Sequence, residues 1–237
     1  MSTRMNLHAG VKALRRIDVL GNLPAASFEH LAESCIWREY AAGEQICGYQ
    51  DQSTDVLFLL AGKARVIIYS AEGKAVLFVD LAPATMFGEI AAIDGQPRSA
   101  SVEALEPCSV ASLSAKKFQE LLLNEPSVTL ATLRHLTSEV RRLSERVFEF
   151  STMMVQNRIQ AELIRLANEV QQSNEQIMLA PAPSLSDIAN RVSTHREAVS
   201  REISRLTSLG VLRRERDGLR IIDPNKLKQL LERARGD

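Results

Sequence analysis

The chain has 237 residues, enough for two ordinary domains of about 100 to 200 residues each. Hydrophobic residues make up 45% and charged residues 24%, with 29 basic against 29 acidic side chains, which excludes dominant disorder and a uniformly polycationic chain. No apolar run approaches the roughly 18 to 20 residues of a membrane span, and residues 1–10 lack the basic-then-apolar order of a secretion signal. We therefore expect a cytoplasmic protein with no membrane partner.

The three cysteines, Cys35, Cys47 and Cys108, are odd in number and widely spaced, which excludes a disulfide framework and a C-x-x-C motif. The sequence has no Walker loop, no G-x-S-x-G and no H-E-x-x-H, so we expect no enzymatic activity. We also expect no metal, because the histidines are scattered along the chain. They are His8, His30, His135 and His195.

Residues 14–35 have helical apolar spacing interrupted by Pro24, which predicts short helices. The pattern changes over 37–113, where short β-prone runs alternate with glycines. The runs cover residues 56–60, 64–69, 76–81 and 110–113. Many short strands with glycine turns predict a barrel or a sandwich.

Helical spacing returns after Ser114, and a heptad seam follows in which apolar residues step by three and four. The seam consists of Leu133, Leu136, Val140, Leu143, Val147, Phe150 and Met154. The flanking positions are charged and the apolar stripe is narrow, which favours a partner helix from a second copy of the chain. The alternative is that the stripe packs on its own domain.

The last third of the chain has the pattern of a winged helix. A helix is predicted over 156–171, followed by a polar run at 171–174. Ser184 is a typical helix start, and 193–197 is a typical turn before a second helix. Two apolar-bearing runs around 217–218, an Asp-Gly pair, then predict a hairpin.

The charge distribution indicates where nucleic acid would bind. Residues 191–220 hold eight arginines against four acidic residues, a net charge of +4 in a chain whose other charges sum to −4. Positive charge concentrated in one segment favours double-stranded DNA as the partner, through attraction to phosphates.

A second candidate site lies in the segment 86–101, between two strand-like runs. Gly88 allows close approach of the backbone, Glu89 is an acceptor for hydroxyls, and Arg98 with Ser99 offers donors for a phosphate. The alternative is an internal ion pair between Glu89 and Arg98.

The segment F-G-E-I-A, followed by P-R-S-A, resembles the phosphate-binding cassette of cyclic-nucleotide-binding domains. In that family the glutamate holds the ribose 2′-hydroxyl, the arginine and serine hold the cyclic phosphate, and the glycine contributes a backbone amide. The resemblance implies a nucleotide site formed by Gly88, Glu89, Ile90, Ala91, Arg98, Ser99 and Ala100.

With the heptad helix and the terminal winged helix, residues 14–231 resemble bacterial regulators of the cyclic AMP receptor protein and FNR family. The resemblance implies an α+β fold with a cyclic-nucleotide-binding β-roll over 1–125, a dimerisation helix over 126–155 and a winged helix-turn-helix over 156–237. It also implies cyclic AMP as the ligand, a homodimer, palindromic DNA of the TGTGA-N6-TCACA type, and RNA polymerase as a partner.

The family places a Thr-Ser pair of the dimerisation helix against the adenine, at the positions of Leu143 and Ser144. Leu143 departs from the pattern, so cyclic GMP stays open as the ligand. The alternative for Ser144 is an exposed serine on a helix surface with no contact to the ligand.

The segment 196–201 resembles the R-E-x-V-x-R reading head of the family. A bidentate arginine suits guanine and a glutamate suits cytosine, so Arg196, Glu197 and Arg201 are the expected base readers. The full expected DNA-binding set is Ser193, Thr194, His195, Arg196, Glu197, Ser200 and Arg201, with phosphate contacts from Arg213, Arg214 and Arg216. The alternative is an ordinary charged helix surface in which Glu197 pairs with Arg201.

Two further functions stay open besides cyclic GMP binding. The chain could be a ligand-independent regulator whose β-roll is a structural relic. It could also be a redox regulator that acts through Cys35, Cys47 or Cys108.

Overall fold

The computed structural model describes residues 7–73, 75–170 and 176–235. The chain forms two compact units, Met1–Val140 and Arg141–Asp237. The polar run expected at 171–174 lies outside the described residues. The α+β class is confirmed, with antiparallel sheets, a long helix and a C-terminal helix-turn-helix. No helix in the described ranges is long and apolar enough to cross a membrane.

The first unit begins with α1 (Leu7–Leu14), a 3-10 turn (Asp18–Leu20) and α2 (Ala25–Ser34). Pro24 occupies the N-cap position of α2, outside the helix, where its missing N–H removes no helical hydrogen bond. The predicted short helices with a break at proline are therefore confirmed.

Eight strands follow and form two antiparallel sheets of four strands each, ordered β1-β8-β3-β6 and β2-β7-β4-β5. The strands are β1 (Ile36–Tyr40), β2 (Gln45–Cys47), β3 (Val56–Ala61), β4 (Ala64–Tyr69), β5 (Ala75–Leu81), β6 (Thr85–Phe87), β7 (Ser101–Ala104) and β8 (Cys108–Leu113). The four predicted runs correspond to β3, β4, β5 and β8, so the sequence pattern missed the other four strands.

Strand β3 is apolar on both faces because it lies in the middle layer of the first unit. Val56, Phe58 and Leu60 pack with apolar residues of the helices. Leu57 and Leu59 pack with apolar residues of the second sheet. A strand covered on both sides has a continuous apolar run in sequence, and the run 56–60 that predicted β3 is of this kind.

Three helices follow or interrupt the sheets: α3 (Glu89–Asp94), α4 (Ala115–Asn124) and α5 (Pro126–Thr152). The predicted seam ended at Met154, and this last position is wrong. Helix α5 ends at Thr152, Met153 turns into a small cluster with Ala161 and Leu231, and Met154 is the extended residue before the next helix.

The described residues of the second unit form four helices after α5 and a three-stranded sheet ordered β10-β11-β9. They are α6 (Val155–Glu169), β9 (Ile177–Leu179), α7 (Leu185–Arg191), α8 (Arg196–Ser208), β10 (Leu212–Arg214), β11 (Leu219–Ile221) and α9 (Pro224–Arg235). The predicted hairpin is confirmed as β10 and β11. Strand β9 was missed, and it lies so close to Gly218 that a Cβ there would come within 2.4 Å of the Leu179 carbonyl oxygen.

A buried ionic network joins the end of α5 to α6 and α7. Glu149 is fully buried and accepts hydrogen bonds from Arg165 on both carboxylate oxygens, at 2.8 and 3.1 Å. Glu162 lies 2.8 Å from Arg146 and 3.5 Å from Arg191. Burying charges is tolerable only when they are paired in this way, so the network constrains how these three helices pack.

Candidate nucleotide site and nucleic-acid interface

The cassette predicted from sequence is built around Gly88, between β6 and α3. Gly88 has φ of 76°, in the left-handed region that favours glycine. A Cβ at this position would lie 2.4 Å from Nη1 of Arg98. Glycine is thus required both by the backbone and by the close approach of the Arg98 guanidinium.

Arg98 is only 3% exposed and makes two side-chain hydrogen bonds to neutral acceptors. Its Nη1 donates to the Gly88 carbonyl at 3.0 Å, and its Nε donates to Oγ of Ser53 at 3.1 Å. No ion pair joins Arg98 to Glu89 or to another carboxylate in the described part of the chain. The alternative of an internal Glu89–Arg98 pair is therefore wrong. A guanidinium has five N–H donors, so this one retains donors for an anionic group.

The loop that precedes β3 holds the backbone of Arg98 from the other side. The Arg98 N–H donates to the Asp51 carbonyl, and the Gln50 N–H donates to the Arg98 carbonyl, both at 2.9 Å. The Asp51 carboxylate in turn accepts from the Gly48 N–H at 2.6 Å. Sequence reasoning missed this loop, although Gly48 and Asp51 have the spacing of a side-chain-supported turn.

Glu89 is the first residue of α3, and it is 6% exposed. Burial raises the pKa of its carboxyl group, while the cationic forms of His135 and Arg98 act in the opposite direction. Nε2 of His135 lies 3.8 Å from the Glu89 carboxylate. The cassette therefore has a hydroxyl acceptor, Glu89, at the start of α3, and a buried cation, Arg98, beside the preceding Gly88.

The other predicted cassette residues differ in exposure. Ser99 and Ile90 are exposed, Ala91 is buried and Ala100 is half-buried. Leu143 and Ser144 lie on α5 in the second unit, where both are exposed.

The seam residues of α5 present an apolar surface to solvent. Val140 and Val147 are 63% and 65% exposed. Leu133, Leu143 and Phe150 are also exposed, and Leu136 is half-buried. Packing of the whole stripe on its own domain, the alternative considered above, is therefore wrong.

The helix-turn-helix is formed by α7 and α8. The Ser184 side chain caps α7 by accepting from the Asp187 N–H at 2.9 Å, as the sequence predicted. Ser193 takes a positive φ of 49°, and the Thr194 N–H donates to the Ala189 carbonyl at 3.0 Å. These contacts tighten the turn that leads to His195, the residue before α8.

The expected base readers lie on the solvent face of α8. Arg196, Glu197 and Arg201 are exposed, whereas Ser200 is half-buried. Val199 and other apolar residues on the opposite face are buried in the core of the unit. Within the described residues, no ion pair joins Glu197 to Arg201, so these side chains do not pair with each other as the alternative expected.

The basic segment 191–220 is less available to phosphate than its charge suggested. Arg191 is buried and lies 3.5 Å from Glu162. Arg205 pairs with Glu202 at 2.8 Å, and Arg220 donates to Glu215 at 2.9 Å. Counting Arg191 toward phosphate attraction was therefore an error. The exposed arginines of the segment are Arg196, Arg201, Arg205, Arg213, Arg214 and Arg216, of which Arg205 is paired with Glu202.

Two family models match the chain. A cyclic nucleotide-binding domain covers residues 37–125, and a Crp-like helix-turn-helix domain covers residues 157–230. The cAMP-activated global transcriptional regulator CRP of Pasteurella multocida is 24% identical over 181 residues, which are 76% of this chain and 87% of that protein.

Solved structures share the fold. A CooA mutant from Carboxydothermus hydrogenoformans matches with a TM-score of 0.77 and 18% identity, covering 98% of both chains. The c-di-GMP responsive regulator CLP of Xanthomonas campestris matches with a TM-score of 0.72 and 16% identity, covering 84% of this chain and 99% of that one.

A cyclic nucleotide-binding domain joined to a Crp-like helix-turn-helix defines a class of ligand-binding transcription regulators, which are DNA-binding proteins rather than enzymes. The chain belongs to the cyclic AMP receptor protein and FNR family of transcription regulators. The resemblance inferred from the cassette and the winged helix is thus confirmed.

All three cysteines are buried and free. Burial raises the pKa of each thiol, and that of Cys35 rises to about 12. The thiolate is the reactive form, so these thiols are poorly suited to redox sensing at neutral pH. Groups of three or more metal-binding side chains are absent from the described residues.

We expect all three thiols to react slowly in the native protein and quickly after unfolding. The reason is that a raised pKa leaves little thiolate at neutral pH, and burial blocks the reagent. A chromogenic disulfide reagent, applied at pH 7 with and without denaturant, measures both rates. A native thiol that reacts as fast as free cysteine would instead support the redox function.

Proposed function

We propose that the protein is a homodimeric transcription regulator that responds to cyclic AMP and binds palindromic DNA of the TGTGA-N6-TCACA type. In this proposal residues 1–125 bind the nucleotide, 126–155 form the dimerisation helix and 156–237 bind DNA. The observation that carries the proposal is the buried cation of Arg98, which retains donors beside the hydroxyl acceptor Glu89 in a domain of the cyclic nucleotide-binding family.

The ligand would use both ends of the cassette. Its cyclic phosphate would accept from Arg98 and Ser99, and its ribose hydroxyl would donate to Glu89. The backbone N–H of Gly88 would donate a hydrogen bond to the ligand. Ile90, Ala91 and Ala100 would line the site. Charge-assisted hydrogen bonds to a phosphate are stronger than neutral ones, so Arg98 would supply the largest share of affinity.

Cyclic AMP is favoured by the relatives, since the Pasteurella protein is named as cAMP-activated. The base contact does not select adenine by the family pattern, because Leu143 supplies no hydroxyl and Ser144 is the polar group next to it. Cyclic GMP is therefore the second candidate. The fold alone does not select the nucleotide, since CLP is described as c-di-GMP responsive.

Dimerisation would bury the exposed seam of α5 against the same seam of a second copy. The helix is 27 residues long, and its apolar positions repeat with the heptad spacing of a two-stranded coiled coil. An apolar stripe of this kind is costly in water and is stabilised when a partner covers it.

The DNA interface would place α8 in the major groove. Arg196, Glu197 and Arg201 would contact base edges, with Ser200 on the same part of the helix. Ser193, Thr194 and His195, just before α8, would contact DNA phosphates. Arg213, Arg214 and Arg216 would contact phosphates. A two-fold dimer would set the half-sites about one helical turn, ~34 Å, apart. RNA polymerase is the expected downstream partner, by family resemblance.

Regulation would be a shift between two populations of the dimer. The nucleotide would bind the conformer with productive spacing of the two α8 helices more tightly, and by linkage DNA would raise nucleotide affinity by the same factor.

Replacing Arg98 by Leu should abolish the nucleotide response because it removes the cation from the cassette. Loss of its charge-assisted bonds amounts to about 3 kcal/mol, or ~100-fold in affinity. Calorimetric titration with cyclic AMP measures the change. Arg38→Leu, at an exposed position of β1, removes the same charge and should bind normally. Retained micromolar affinity in a folded Arg98→Leu variant would refute the site.

Replacing Arg196 by Ala should cost about 1 to 3 kcal/mol of specific DNA affinity and relax the preference at one base pair of each half-site. Binding to a panel of single-base variants of the palindrome measures both effects. Arg214→Ala on the wing is the control, and it should weaken binding to all sequences alike. A uniform loss for Arg196→Ala would make Arg196 a phosphate contact.

Replacing Val147 by Glu should convert the dimer to a monomer, because two carboxylates would face each other in the seam. Sedimentation velocity measures the association state. Ser138→Glu adds the same charge on the outer face of the same helix and should remain dimeric. A dimer that survives both substitutions would mean that another surface holds the two copies together.

A further inference from the structure

A buried carboxylate interrupts the apolar face of α8. Val199, Ile203 and Leu206 pack in the core of the second unit. Glu202 belongs to the same stripe of the helix and is only 5% exposed. Together the four positions have the spacing i, i+3, i+4 and i+7 of a core-facing helix, which favours an apolar residue at each. An acidic side chain in this stripe therefore needs polar partners to be buried at all.

Among the described residues, Glu202 has one hydrogen-bonding partner on α6 and one on α8. Nε2 of Gln160 donates to Oε1 of Glu202 at 2.7 Å, and this bond between the two helices is buried. Arg205, one turn further along α8, donates to both carboxylate oxygens at 2.8 Å. The Arg205 side chain is 43% exposed, whereas Gln160 is 1% exposed. The carboxylate is thus bonded by α6 inside the unit and by the arginine near solvent.

The pair of Gln160 and Glu202 is better explained by geometry than by stability. Oε1 of Gln160 is buried and has no hydrogen-bond partner among the described residues. A buried polar pair with one unsatisfied oxygen contributes little net stability compared with two apolar side chains of similar volume. Apolar packing is non-directional, whereas a short hydrogen bond between two helices tolerates little rotation or sliding.

We propose that Glu202 is a positioning residue for DNA recognition, and that its bond to Gln160 fixes the rotation and the axial position of α8 on α6. The inference rests on the proposed function, because it concerns how the proposed base readers are presented. Arg196 and Glu197 begin the same helix, and Arg201 directly precedes Glu202. Bidentate contacts with base edges need side chains placed to within about 0.5 Å, so a rotation of α8 would misalign all three.

The test compares affinity for the TGTGA-N6-TCACA duplex with affinity for the same duplex with both half-sites scrambled. Fluorescence anisotropy of the full chain with cyclic AMP, at one fixed salt concentration, gives the ratio of the two. The variant Gln160→Leu with Glu202→Leu exchanges the polar pair for apolar side chains. Its unfolding temperature should be unchanged or higher. The affinity ratio should nevertheless fall about tenfold, because base contacts weaken while phosphate contacts remain.

Three further variants separate positioning from stability. Gln160→Met removes only the donor and leaves Glu202 bonded to Arg205, so the affinity ratio should fall even if the double variant does not fold. Glu202→Gln keeps an oxygen that accepts from Gln160 and should retain the wild-type ratio. Thr207→Val removes a hydroxyl that donates to the Ile203 carbonyl at 2.8 Å within α8, and it should retain the ratio as well.

Two results would overturn the inference while leaving the DNA-binding function intact. One is a wild-type affinity ratio in a folded Gln160→Met variant, which would make the pair a packing contact only. The other is a loss of the ratio in Glu202→Gln as large as in Gln160→Met, because the charge rather than the bond to Gln160 would then be required. If the wild-type protein does not distinguish the two duplexes, the proposed function fails and this inference fails with it.

Discussion

The buried guanidinium of Arg98 is the constraint on which the nucleotide site depends. Burying an ionised group costs free energy unless the group is paired with an opposite charge. In the described structure the Arg98 guanidinium donates only to two neutral acceptors, the Gly88 carbonyl and the Ser53 hydroxyl. Gly88 must be glycine to make room for it, and the loop at Asp51 holds its backbone. An anion at this position would supply the missing counter-charge. Much of the binding free energy would thus come from pairing the ligand's phosphate with a guanidinium that is already buried in the folded protein.

Helix α5 contributes residues to both units. It begins at Pro126 in the first unit and ends at Thr152 in the second. Near its start it carries His135, which faces Glu89, and near its end it carries Glu149, which is fully buried against Arg165. One helix therefore carries contacts to the cassette, the exposed seam and the ionic network of α6.

The parts of the structure that the sequence predicted are those with local causes. A glycine forced to positive φ, the Ser184 cap and the Asp-Gly hairpin each depend on a few neighbouring residues. What it missed depends on distant partners. Strands β2, β6 and β9 have three residues each, too few for a period to show. Burial of Arg191 follows from Glu162, and the contact of His135 with Glu89 joins residues 46 positions apart, so no spacing rule indicates either.

Control of DNA binding by a cyclic nucleotide is tested most directly by the affinity for DNA with and without the nucleotide. Fluorescence anisotropy of a labelled TGTGA-N6-TCACA duplex at one fixed salt concentration gives that affinity, alone and with saturating cyclic AMP, cyclic GMP or c-di-GMP. We expect cyclic AMP to raise the affinity for DNA by about tenfold or more, within the usual range of allosteric coupling. Equal affinity for the duplex with and without every nucleotide would contradict it and would make the protein a ligand-independent regulator.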